Sequence, residues 1–69
     1  MPLRSKAEEA GIIRPSELAL LGRVFEQTAV AGEDDHAREA RASRILAYYL
    51  AGISDEAELR TLAKQPLGR

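Results

Sequence analysis

The residues best equipped for chemistry stand together at Glu33–His36, where "EDDH" gathers three carboxylates and the only histidine. Three acids and an imidazole could hold a hard cation, and Asp35, His36 and Glu39 fall within one helical turn. The spacing matches no metal-ligand pattern, however, and consecutive residues on a helix point in different directions. Acids at the start of a helix are explained by the N-cap and by the positive end of the helix dipole. No metal site and no cofactor is therefore expected, and His36 is read as an exposed first-turn residue.

A second grouping is Arg38, Arg41 and Arg44, which recur every three residues, with Tyr48 extending the row. Arginine beside an aromatic ring could contact phosphate and stack on a base. The balance of charge argues otherwise: ten basic and eleven acidic residues give −1, without the basic excess of a nucleic-acid binder. Local partners are also at hand, since Asp34 is placed i, i+4 to Arg38 and Asp35 i, i+3. The row reads first as an ion-pair face, solvated or between subunits. Its alternative reading, a nucleic-acid contact through Arg38, Arg41 and Arg44, would make the protein a small nucleic-acid-associated regulator.

Catalysis finds little support. There is no cysteine nucleophile, the one histidine has no serine partner, and 69 residues leave little room for a sheltered pocket. The carboxylate pairs Glu8–Glu9 and Asp55–Glu56 have the same helix-start explanation as the acids above. An enzyme ranks third among the readings, and no small-molecule substrate is evident.

The elements that carry these residues are helical. Ala-Gly occurs at 10–11, 31–32 and 51–52, and glycine just past the last periodic residue is the commonest helix stop. Ser5 and Glu8 have capping-box spacing ahead of the first stop. "PSELALLGRVFEQTAVA" opens with proline, a favoured first residue, and predicts a helix closed by Gly32. Leu18, Leu21, Phe25 and Ala29 share its inward stripe, with Val24 and Thr28 beside it. Gly22, on the edge of the stripe, would let another helix approach closely. "EDDHAREARASRILAYYLA" follows with Asp34 or Asp35 as N-cap and Ala42, Ile45, Leu46, Tyr49 and Leu50 inward. "SDEAELRTLAK" takes Ser54 as N-cap, turns Leu59, Leu62 and Ala63 inward and ends before Pro66. Residues 51–62 repeat six identities of residues 10–21 (Ala-Gly-Ile, then Glu-Leu and a further Leu), a shared corner grammar.

So short a chain buries only about 60% of its unfolded surface, and disulfides are unavailable to it. Leu20 and Val30 lie off the main stripe, leaving apolar surface for a partner to cover. The expectation is an all-α, three-helix domain with an antiparallel helical hairpin and an optional short extra N-terminal helix, packing as a helical-bundle homodimer. It spans 1–69 as one domain, with 1–14 loosely ordered and 65–69 as a C-terminal tail. Leu20, Val24 and Tyr48 are the expected contacts for self or another protein, in a non-enzymatic interaction module. No apolar run approaches the roughly 20 residues needed to cross a bilayer, and "MPLRSKAEEAG" lacks the apolar region of a signal peptide. A cytoplasmic location without membrane contact is expected.

The pattern L-x-L-L-x-R-V-F at 18–25, then an apolar segment with tyrosines and G-I-x-D-E-x-E-L at 52–59, resembles short helical proteins of unknown function common in alphaproteobacteria. The likeness covers about residues 18–62, and its motifs are structural. Such proteins often carry a cysteine and a longer polar loop between helices, both missing here. The resemblance implies helices and carries over no functional residue.

Overall fold

Two of the three Ala-Gly corners are built in the same way. Gly11 and Gly52 take φ angles of 86° and 110°, which glycine reaches without a Cβ penalty. At the first corner the Gly11 N–H donates to the Glu8 carbonyl (3.0 Å) and the Ile12 N–H to that of Ala7 (2.9 Å). At the second, Gly52 donates to Tyr49 (3.0 Å) and Ile53 to Tyr48 (3.1 Å). Both are Schellman stops, which satisfy the last helical carbonyls and return a hydrophobic residue to the core. Ile12 is buried accordingly, and Ile53 is half-buried. The repeated stretch is thus one corner geometry used twice.

The computed structural model describes residues 2–65, in which four helices follow one another: α1 (Pro2–Glu9), α2 (Pro15–Gln27), α3 (Asp35–Leu50) and α4 (Glu56–Lys64). The described residues include no strand. Pro15 supplies the first position of α2, whose N-cap Arg14 makes no side-chain capping bond. The Asp34 carboxylate caps α3 by accepting from the Ala37 N–H at 2.8 Å. Asp55, not the expected Ser54, caps α4, accepting from the Glu58 N–H at 2.9 Å. One residue of extra turn after Ile53 moves the cap along. The stop expected from Pro66 and the tail at 66–69 lie outside the described residues.

The third Ala-Gly pair is no helix stop. Although Gly32 has a φ of 79°, α2 has already ended at Gln27. The Thr28 hydroxyl donates to the Val24 carbonyl at 2.8 Å, and an Arg41 guanidinium N–H donates to the Phe25 carbonyl. A continued helix would need that Phe25 carbonyl for the Ala29 N–H. Ala29 bonds Glu26 instead, at 3.3 Å, and the turn tightens and stops.

The optional N-terminal helix is present: α1 packs on both α2 and α3, and the described residues hold four helices. Leu3 and Ala7, one turn apart, and Ile12 all join the core. On the other side α4 lies across α2 and α3 without meeting α1. The α2–α3 pair is therefore covered from two sides, and Leu21, Val24, Ile45 and Leu59 are fully enclosed. Leu50, expected inward, is exposed, because the α3 stripe has rotated past it by the last turn. At Gly22 no neighbour comes within 4 Å of where a Cβ would stand, so close helix approach is not its role.

Candidate interaction surface

The arginine row divides on folding. Arg41 is buried with its partner Glu33, the side chains only 5% and 8% exposed. Its Nε and Nη2 donate to the two Glu33 carboxylate oxygens at 2.9 and 2.8 Å, in a two-pronged pair. Nη1 donates to Thr28 Oγ1 at 3.0 Å and to the Phe25 carbonyl. The guanidinium also lies 4.1 Å from the centre of the Phe25 ring, a cation–π distance. Arginine's planar fork suits such a site, where a lysine would leave acceptors unmet. The hydrogen bonds from Arg41 hold the Glu33 carboxyl below its ordinary 4.5, overcoming its partial burial, and the charges of Arg41, Arg38 and Arg44 act in the same direction.

Arg44 is half-buried and donates from Nη2 to the Ala63 carbonyl at 2.7 Å, closing the last turn of α4. Its Nε is buried without an acceptor. Only Arg38 stays in the open, 3.8 Å from Asp35. Of the three arginines expected on one face, two are thus tied into the fold, and the row is not a line of available cations. The "EDDH" side chains likewise diverge: Glu33 to Arg41, Asp34 to its cap, Asp35 to Arg38, and His36 to solvent. Nowhere among the described residues do three histidine or acidic side chains gather.

The expected contact residues fare unevenly. Val24 is fully buried and belongs to the core. Leu20 and Tyr48 are half-buried against that core. The open apolar side chains are instead Ile13 at 72%, Val30 at 64% and Leu50 at 60% exposure. Two of them belong to one end of the α2–α3 pair. Tyr49, in the last turn of α3, donates its hydroxyl to Glu17 in the first turn of α2 at 2.5 Å. That bond brings the start of α2, just after Ile13, to the end of α3 at Leu50. The same bond, with burial and the Glu17 charge, raises the pKa of Tyr49 above 10.0.

Beside Ile13 a groove of about 350 Å³ opens between α1 and α2, with Leu3 and Leu21 as its floor, Pro15 and Leu18 in its walls and Arg4 at its rim. The sequence carried no sign of the Glu33–Arg41 pair, whose members are eight positions apart across a turn. Among known proteins the chain matches no family model, no curated protein and no solved structure.

Proposed function

We propose that this chain is a non-enzymatic, cytoplasmic interaction module that binds through its exposed apolar corner at the start of α2 and the end of α3. The observation that carries this reading is the joint exposure of Ile13 and Leu50 at one end of a fold whose core is otherwise closed. Scattered apolar residues are ordinary on any surface, but a large one standing open beside a groove lined by leucines, as Ile13 does, supports a contact there. No helix of the described chain is long and apolar enough to cross a membrane.

The nucleic-acid alternative keeps only Arg38 of its three arginines in the open, since Arg41 is enclosed and Arg44 donates to the Ala63 carbonyl. Site-specific photocrosslinking in the producing cells tests the proposal. A photoreactive residue at Ile13 should yield a discrete crosslinked protein species that is missing when the same group sits at exposed Thr61. A yield at Ile13 no higher than at Thr61 would remove the reading.

A further inference from the structure

Val30, another of the open apolar side chains, borders a second groove of about 670 Å³ beside the α2–α3 turn. Its walls come from the end of α2 with the following loop, from the first half of α3 and from the end of α4. Val30, Ala37 and Ala40 give it small apolar surfaces, and Arg44, Lys64 and His36 bring polar groups. Three positive side chains, Arg41, Arg44 and Lys64, stand there against one negative, Glu33, which Arg41 already neutralises. The excess is local, since the whole chain carries −1.

Arg44 differs from the other arginines of the four helices. Arg4, Arg23, Arg38, Arg41 and Arg60 each have a carboxylate at ion-pair distance, whereas Arg44 has none among the described residues. Of its guanidinium nitrogens only Nη2 finds an acceptor there, the Ala63 carbonyl, and Nε is buried without one. Burying a donor without an acceptor is costly, and native folds do it rarely. The bond to Ala63 nevertheless holds this half-buried side chain in place at the groove. A guanidinium fixed in that way is prepared for a carboxylate, which its planar fork suits.

We infer that the groove docks an acidic segment of another protein, with an aspartate or glutamate side chain on Arg44 and Lys64 and a neighbouring apolar side chain on Val30 and the alanines. The groove is open to solvent along one side. It does not enclose a small ligand to the roughly 70–90% usual for such sites, but a chain segment can lie across it. Nucleic acid fits less well, because the lining holds no aromatic ring on which a base could stack and does not include Arg38. This contact lies at the end of the α2–α3 pair away from the Tyr49–Glu17 bond, and it stands whether or not the Ile13 corner binds a partner.

Nuclear magnetic resonance titration of the full, isotopically labelled chain tests the inference. The probes are the blocked tripeptide acetyl-Leu-Glu-Leu-amide, its glutamine counterpart acetyl-Leu-Gln-Leu-amide, and inorganic phosphate at matched ionic strength. The glutamate peptide should shift the Arg44 side-chain N–H signal and the amides of Val30, Ala37, Ala40 and Lys64, and should saturate in the millimolar range. The glutamine peptide should bind on the order of tenfold more weakly, because it offers no charge to the guanidinium. Arg44→Gln should abolish the difference between the two peptides. Lys64→Glu, at an exposed position that makes no ion pair among the described residues, should weaken the glutamate peptide several-fold while leaving the melting curve in place.

Equal affinity for the two peptides overturns the inference, as do shifts centred on another part of the chain or none at tens of millimolar. A Lys64→Glu chain that binds as the wild type does would overturn it without any question of folding. Phosphate that moves the same signals as strongly as the glutamate peptide would mark a general anion site and overturn the assignment to a protein segment.

Discussion

Replacing Gly22 with alanine should make the protein more stable, by an amount set almost wholly by the unfolded chain. Gly22 sits inside α2 and is not among the glycines with positive φ, so alanine can adopt its backbone conformation. Its new methyl group would find no atom within 4 Å, which removes both a clash and a packing gain from consideration. What remains is the helix preference of alanine over glycine, about 0.8–1.0 kcal/mol. In a domain of this size, 1 kcal/mol at the midpoint moves Tm by about 4–8 °C. Thermal unfolding followed by circular dichroism at low micromolar concentration would read the shift without a contribution from association. A urea titration should show a higher midpoint with an unchanged slope. A midpoint that is unchanged or lower would refute the reasoning, since it would mean that the methyl group meets something or that α2 is not helical there.

The opposite sign is expected at Gly52, where φ is 110°: Gly52→Ala should cost about 1–2 kcal/mol, read from the same melts. Asp55→Ala should lower stability by about 1 kcal/mol, whereas Ser54→Ala should be close to neutral, because the capping carboxylate belongs to Asp55. Tyr49→Phe deletes the bond to Glu17 and should cost about 1 kcal/mol near neutral pH. A tyrosine whose folded pKa is raised contributes stability that is complete below 10.0 and is lost as pH climbs past it, so Tyr49→Phe should flatten the alkaline limb of a stability–pH curve. Glu33 behaves in the reverse sense. With its folded pKa lowered, its contribution is complete above 4.5 and disappears as acid protonates the carboxylate, so Glu33→Gln should flatten the acid limb.

Much of the secondary structure was legible because local chemistry decides it. Pro15, Gly11 and Gly52 mark helix ends by backbone preference and Asp34 by its capping carboxylate, and each does so here. Periodicity also placed Leu21, Phe25, Ala42, Ile45, Leu46, Leu59 and Ala63 in the core. The misjudged elements are those settled between helices. α1 read only as an optional short helix, yet Leu3 and Ala7 join the core against α2 and α3, which no local pattern records. Val24, set beside the inward stripe and read as a contact, is fully buried in the core. Gly32 looked like a stop by analogy, whereas α2 ends earlier, at Gln27, where the Thr28 hydroxyl bonds the Val24 carbonyl and Arg41, thirteen positions on, bonds Thr28.

That last arrangement limits how far the chain can be taken apart. The last carbonyls of α2 are held jointly by Thr28 and by Arg41, so part of what ends this helix comes from α3. A peptide ending before α3 should let its helix run on into the alanines at 29 and 31, and transplanting α2 with its loop onto another scaffold would carry over the wrong register. Excision, circular permutation or shuffling that parts the two helices should therefore change the shape of the pieces as well as their stability.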